Sequence, residues 1–342
     1  FRVWGGDLMA QAGGELRKHY RDLAFMGFIE VVKNLRTILK NIEFCKQDIL
    51  DFQPDALILI DYPGFNLRIA KWAKEQDFKV IYYISPQLWA WHASRVHDIK
   101  KTVDKMLVIL PFEPDFYKKY DYEVEFVGHP LLDVVENFQP DGDFLQKHDL
   151  DGRPIIALLP GSRKQEISRM LEVMLTVVSK FPEYQFIIAG APSQDQEFYE
   201  FILAKADAKD VQLVQNQTYQ LLSHAQAALV TSGTATLETA LFDVPEVVCY
   251  KGSVVSYAIA KRLVGKRIKF ISLVNLIVDR QLVKELIQHE LNPKNLQREL
   301  AAILNPEKAG EIKVGYAELR RKLGNAGASG RAAQVITDFL KS

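Results

Sequence analysis

The feature that most constrains this chain is an alternation. Short β-branched or aliphatic runs recur at "ALILID" (56–61), "KVIYYIS" (79–85), "KMLVIL" (105–110), "IIALLPG" (155–161), "QFIIAG" (185–190), "AALVTS" (227–232) and "EVVCY" (246–250). Stretches of helical spacing lie between them, at 66–76, 112–119, 164–180, 194–206 and 234–242. The runs are apolar almost throughout, as expected of parallel strands covered on both faces. Strand and helix in turn predict a doubly wound α/β fold. A chain of 342 residues exceeds one ordinary core, and the alternation pauses at "ENFQPDGDFLQKHDLDGRP" (136–154), which is polar and rich in turn residues. That pause predicts a first Rossmann-like domain over residues 1–137, a linker over 138–152 and a second domain over 153–325. After about residue 280 the strands are expected to stop. "QLVKELIQHE", "NPKNLQRELAAIL", "PEKAGEIKVGYAELRRKL" and "ASGRAAQVITDFLKS" then read as consecutive helices, the last over 326–342.

Charge narrows the partners. Lys+Arg and Asp+Glu balance at 43 each, so no global field draws in nucleic acid, and any attraction to an anionic membrane must be local. Cys45 and Cys249 stand far apart in apolar settings, the pattern of reduced, buried thiols. No apolar run approaches the roughly 20 residues of a membrane-spanning helix, and no signal peptide is visible. The chain opens on "FRVWGG" without an initiator Met, as if inside a strand, so an upstream segment is expected.

Sheets of this kind bind ligands beyond the carboxyl ends of their strands, which directs attention to the residues there. In "LPGSRKQEI" (159–167), Gly161 lets backbone approach a ligand, Ser162 and the helix start supply donors, and Arg163 can clamp a diphosphate. The plainer alternative is a capped helix with a solvated Arg. "VTSGTATLETALF" (230–242) repeats the arrangement with Ser232, Gly233 and Thr234. There Glu238 either accepts ribose hydroxyls or complements the helix dipole. The two loops together suggest a nucleotide-diphosphate pocket. Asp61 ends the first-half strand "LILID" before a Pro-Gly turn, as a helix cap or as a general base. His129 in "FVGHPLLD" (126–133) stands at another strand end, where a satisfied structural histidine is the simpler reading. Asp-x-Asp strings at 141–143 and 149–151 fall in the polar linker and read as solvated turns; no other cluster has metal-ligand spacing. Between 247 and 278 the basic residues, Lys261, Arg262, Lys266 and Arg267 among them, alternate with Tyr257, Leu263 and Phe270 and no acid intervenes. That pattern fits an interfacial patch for anionic lipid or a solvated helix face. Finally, Trp89 and Trp91 in "SPQLWAW" point in roughly opposite directions in either regular conformation, so one can pack inward while the other stays near the surface.

The strings "DLAFMGFIEVVKNL", "IDYPGFNLRIAKWAK", "YYISPQLWAWHASRVHDIKK", "DKMLVILPFEPDFY", "VEFVGHPLLD", "LPGSRKQEI", "TSGTATLE" and "FISLVNLIVDRQLVKELIQ", in that order, resemble lipid-A-disaccharide synthase over nearly the whole chain. The resemblance implies a GT-B fold, two Rossmann-like domains facing a cleft with a C-terminal helical tail that returns to the first domain. It implies an inverting, metal-independent glycosyltransferase that joins UDP-2,3-diacylglucosamine to 2,3-diacylglucosamine 1-phosphate (lipid X) and releases UDP. Such enzymes are cytoplasmic and peripheral to the inner membrane, and a homodimer is compatible with this. By position Asp61 looks like the family's essential aspartate, a base for the acceptor 6-hydroxyl. Glu238 resembles the fold's ribose-binding glutamate, and Asn275 and Arg280 match the family's "SLxNLxxxR" string on the nucleotide side. Trp89 or Trp91, with Arg95, His129, Lys261, Arg262, Lys266 and Arg267, would face acceptor or lipid. The sequence departs from the family pattern at Gly64, where a second aspartate is common, at His92, where Arg is common, and in starting after the family's first strand and Gly-rich loop. Were that loop absent from the protein, an inactive nucleotide-binding protein would be expected. A UDP-GlcNAc 2-epimerase is the nearest alternative enzyme.

Overall fold

Each of the expected runs is a strand in the computed structural model, which describes residues 1–23, 35–91, 93–252 and 269–341, the side chain of Trp91 excepted. In chain order the strands are β1 (Arg2–Gly5), β2 (Glu15–His19), β3 (Ala56–Ile60), β4 (Lys79–Tyr83), β5 (Lys105–Val108), β6 (Glu125–Phe126), β7 (Ile155–Leu159), β8 (Gln185–Gly190), β9 (Val211–Gln215), β10 (Ala225–Thr231), β11 (Glu246–Tyr250) and β12 (Lys284–Ile287).

The described residues divide into two compact units. One comprises 1–108, 114–125 and 332–342; the other comprises 109–113 and 126–331. In the first unit, β3-β4-β5-β6 form one sheet and β1 pairs with β2 in parallel as a separate ribbon. The ribbon is anchored on the helix Leu35–Phe52 through Asp48, a buried carboxylate that accepts from Arg2 Nη1 (3.1 Å), Arg17 Nε (3.0 Å) and Trp4 Nε1 (2.9 Å). Three donors, two of them cationic, offset the desolvation of that charge.

The second unit is a single parallel sheet of order β12-β11-β10-β7-β8-β9. Its central strands β7 and β8 are buried along their whole length, which is why the sequence shows no inside-outside alternation there. Counted within the unit, the order is 3-2-1-4-5-6 read from β9. It reverses direction between β7 and β10, the place where such sheets open a crevice for ligand.

Two expectations need correction. "QLVKELIQHE" is no helix: it supplies edge strand β12, paired with β11 from Val247↔Lys284 to Tyr250↔Ile287, and a 3-10 turn at Gln288–Glu290. Its apolar spacing suits either state, and the unpaired edge of β11 decides in favour of strand. Residues 126–137, assigned by sequence to the first domain, cluster with the second unit. There Asp133 accepts from the backbone N–H groups of Gly327, Ala328 and Ser329, capping the helix Ala328–Lys341 from a distant segment, and Arg331 Nε donates to Val127 O (2.8 Å). The helices Pro293–Leu304 and Pro306–Leu323 follow the expected spans.

Candidate functional site

In the first unit the carboxyl edge of the sheet is conformationally strained. Asp61 and Tyr62 both have φ of 46°, and Ile84, just past β4, has φ of 64°. Left-handed backbone is uncommon for residues other than glycine and exceptional for a β-branched one, and each instance costs on the order of 1–3 kcal/mol. Surrounding bonds hold the turn. Asp61 N–H donates to Tyr83 O (2.9 Å), and Asp61 O accepts from the buried Tyr82 hydroxyl (2.6 Å) and from Asn66 Nδ2 (2.8 Å). Tyr62 hydroxyl donates to Leu23 O (2.5 Å). The following helix, Pro63–Glu75, has Tyr62 at its N-cap position and no side-chain cap. Asp61 is therefore not a capping residue. Its carboxylate is exposed and makes no hydrogen bond or ion pair among the described residues, and a Cβ on neighbouring Gly64 would meet nothing within 4 Å. Past the next strand, β4, Trp89 is half-buried and Arg95 exposed, while Leu88 and Ala90 of the same short helix as Trp89 are buried. The side chain of Trp91 and the residues Lys261, Arg262, Lys266 and Arg267 lie outside the described residues.

In the second unit both small-residue loops flank the switch point, one after β7 and one after β10. They are not equivalent. After β7, Gly161 adopts φ of +111° and Glu166, from the helix Lys164–Met174, folds back so that its carboxylate accepts from Ser162 N–H (3.3 Å). A Cβ on Gly161 would lie 2.4 Å from Glu166 Oε2. The donors of that loop are thus partly taken by a carboxylate of the same chain, while Arg163 stands exposed beside them. After β10, no side chain caps the helix Thr234–Leu241, and Gly233 at its N-cap position has φ of 155° and ψ of −161°, a conformation essentially reserved for glycine. A Cβ there would meet nothing within 4 Å. Of these two loops, the one after β10 leaves the positive end of its helix open to an anion.

Glu238 sits in the second turn of that helix, beyond the turn where a carboxylate would complement the dipole. It is half-buried and accepts from the Tyr219 hydroxyl at Oε1 (3.1 Å). Burial pushes its carboxyl above the usual range, and the Tyr219 bond pulls partly the other way.

Three of the expected site residues are structural. Asn275 is fully buried and its amide is consumed internally: Nδ2 donates to Val283 O and to Glu285 Oε1 (both 2.9 Å), and Oδ1 accepts from Leu282 N (2.8 Å) and Val283 N (3.0 Å). No donor or acceptor remains for a nucleotide. It instead supports Glu285, which also accepts from Ile271 N, Ser272 N and Ser272 Oγ. Ser232 Oγ donates to Ile271 O (3.0 Å), so the same knot braces the loop after β10, and the Ser232 hydroxyl serves the loop rather than a ligand. His129 caps the helix Pro130–Glu136, its Nδ1 accepting from Leu131 N–H (3.2 Å). Burial pushes its pKa down to about 4, so the ring is neutral, and with 4% exposure it presents nothing to a lipid. Arg280 is exposed and paired with Glu318 on the helix Pro306–Leu323 (2.8 Å).

The linker acids are engaged within their own turns. Asp141 bonds Asp143 N–H and Lys147, and Asp151 bonds Arg153. Among the described residues no three His, Cys, Asp or Glu side chains group as metal ligands. Cys45 and Cys249 are free and buried, and burial pushes the Cys45 thiol up to about 12.

A model of the lipid-A-disaccharide synthetase family matches residues 3–339. The chain belongs to that family. It is 41% identical to the lipid-A-disaccharide synthase of Syntrophus aciditrophicus, over 98% of this chain and 89% of that one. Family membership makes it a glycosyltransferase of lipid A biosynthesis. Solved structures agree on the GT-B fold: a co-structure of S. aureus MnaA with UDP superimposes with a TM-score of 0.65 at 12% identity (90% of this chain, 81% of that one), and the calicheamicin glycosyltransferase with 0.56 at 16% (98% and 88%). In this synthetase no described helix is long and apolar enough to cross a membrane. Glu166, Tyr219 and Glu285 are the site residues that sequence reasoning missed. Glu166 is four residues past Ser162, one beyond the Ser-x-x-Glu spacing of a capping box. Tyr219 and Glu285 carry no local signal, because their partners are brought together only by the sheet.

Proposed function

We propose that this synthetase transfers 2,3-diacylglucosamine from UDP to the 6-hydroxyl of 2,3-diacylglucosamine 1-phosphate, forming a β-1,6 linkage with inversion. The observation that carries the reading is the switch point of the second sheet, where the uncapped helix start at Gly233-Thr234 and the half-buried Glu238 lie one turn apart. A diphosphate suits the first and a ribose the second. The UDP found with the S. aureus MnaA structure supports the same ligand class.

In the step itself the acceptor oxygen attacks the donor's anomeric carbon, the bond from that carbon to the diphosphate oxygen breaks, and UDP departs with the electron pair. The Asp61 carboxylate takes the hydroxyl proton. Its exposure and its freedom from other partners among the described residues suit that task, and the strained, multiply bonded turn fixes its backbone before substrate arrives. Charge developing on UDP is met by the helix start after Ser232 and by Arg163 instead of by a metal. Diacylated substrates reside in a bilayer, so the enzyme works peripherally on the cytoplasmic face of the inner membrane. Trp89, Arg95 and the basic residues Lys261, Arg262, Lys266 and Arg267 are suited to that surface.

The test is a product analysis. Purified protein given UDP-2,3-diacylglucosamine and 2,3-diacylglucosamine 1-phosphate should release UDP and a β-1,6 disaccharide in equal amounts without added metal. UDP release with no disaccharide, or an epimerised sugar nucleotide as sole product, would overturn the proposal.

A further inference from the structure

Tyr219 has a place in the second unit that its surroundings do not require of a tyrosine. Its ring lies in an aromatic cluster with Phe138 (centroids 5.8 Å apart, planes at 85°) and Phe242 (5.2 Å, 36°), and Phe138 and Phe242 also meet edge to face (5.4 Å, 80°). Phenylalanine would serve that packing equally well. The hydroxyl alone reaches Glu238, donating to Oε1 at 3.1 Å. The two residues come from different elements, Tyr219 from the helix Thr218–His224 that follows β9 and Glu238 from the helix that follows β10. Without the bond a half-buried glutamate with several rotatable bonds would sample other rotamers, and a carboxylate must be held in one rotamer to read hydroxyl positions. With Oε1 committed to Tyr219, Oε2 is the oxygen without a partner among the described residues.

We infer that Tyr219 is a positioning residue for nucleoside recognition: its hydroxyl sets the Glu238 carboxylate so that Oε2 accepts from the ribose, and so fixes the enzyme's preference for a ribonucleotide over an analogue lacking the ribose hydroxyls. The inference rests on the proposal that Glu238 binds ribose.

The experiment measures Kd for UDP and for 2′,3′-dideoxy-UDP by calorimetry on the whole protein and on Tyr219→Phe, Glu238→Gln and Phe242→Leu. Tyr219→Phe should lower the UDP/dideoxy-UDP preference by about three- to ten-fold, the scale of one hydrogen bond, while leaving dideoxy-UDP affinity unchanged. Glu238→Gln should lower the preference at least as far. Phe242→Leu, which loosens the same cluster and spares the hydroxyl, should lower Tm without moving the preference. A preference unchanged in Tyr219→Phe but reduced in Glu238→Gln overturns the inference alone. A preference unchanged in Glu238→Gln overturns the ribose proposal and the inference with it. Phe242→Leu matching Tyr219→Phe reduces Tyr219 to packing and overturns the inference.

Discussion

At position 129 a single ring nitrogen serves as a helix cap, and this makes stability depend on acid. Burial holds the folded-state pKa of His129 near 4, below its ordinary 6.5. The folded state therefore resists a proton that the unfolded chain accepts. The stabilisation is complete above pH 6.5 and is lost as pH falls toward 4, a contribution on the order of 3 kcal/mol across that window. Asparagine caps helices without titrating there, so His129→Asn should flatten urea-unfolding stability between pH 6.5 and 4; an unchanged slope would show that other groups carry it. The residue scale is also where sequence is least decisive. A strand-end aspartate caps or stays free according to the φ of the turn, and Asp61 at 46° is a fact no residue pattern encodes. Asn275 fits the family string by position, yet its amide is spent on Val283, Leu282 and Glu285, because the two segments it joins meet only in the folded sheet.

Among elements, β11 carries a buried carboxyl with no evident use at the carboxyl edge. Glu246 begins the strand, is 0% exposed, and neither of its oxygens finds a hydrogen-bond partner among the described residues. Burial, and secondarily the charge of Glu285, pushes its pKa well above the usual range. A raised carboxyl pKa contributes stability that is present below the unfolded value near 4.5 and is lost as pH rises through the folded one. Glu246→Gln should therefore raise Tm at pH 8, with the gain shrinking toward pH 4.5; a loss of Tm at pH 8 would mean that the ionised carboxylate is needed. Elements were the most legible level in the sequence. Runs such as "IIALLPG" and "QFIIAG" are apolar throughout because β7 and β8 are covered on both faces. β12 is not legible in the sequence because "LVKELI" satisfies helical spacing as readily as an edge strand. The pairing that decides the matter lies in β11, more than thirty residues earlier.

For the molecule as a whole, the sequence pointed to two α/β units and to loops that flank the reversal of strand order in the second. It could not rank those loops. Glu166 against Ser162, and open space beside Gly233, appear only once the helices are placed. Under the proposed function the second unit holds the nucleotide and Asp61 of the first takes the acceptor's proton. Removing a general base lowers turnover by roughly 10²–10⁴-fold and should leave a nucleotide site in the other unit untouched. The most direct measurement is disaccharide turnover and UDP Kd on one preparation of Asp61→Asn. Turnover reduced at least a hundred-fold with UDP Kd unchanged is the predicted result, whereas turnover within a few-fold of the unmodified protein, or UDP affinity lost together with it, would contradict the account.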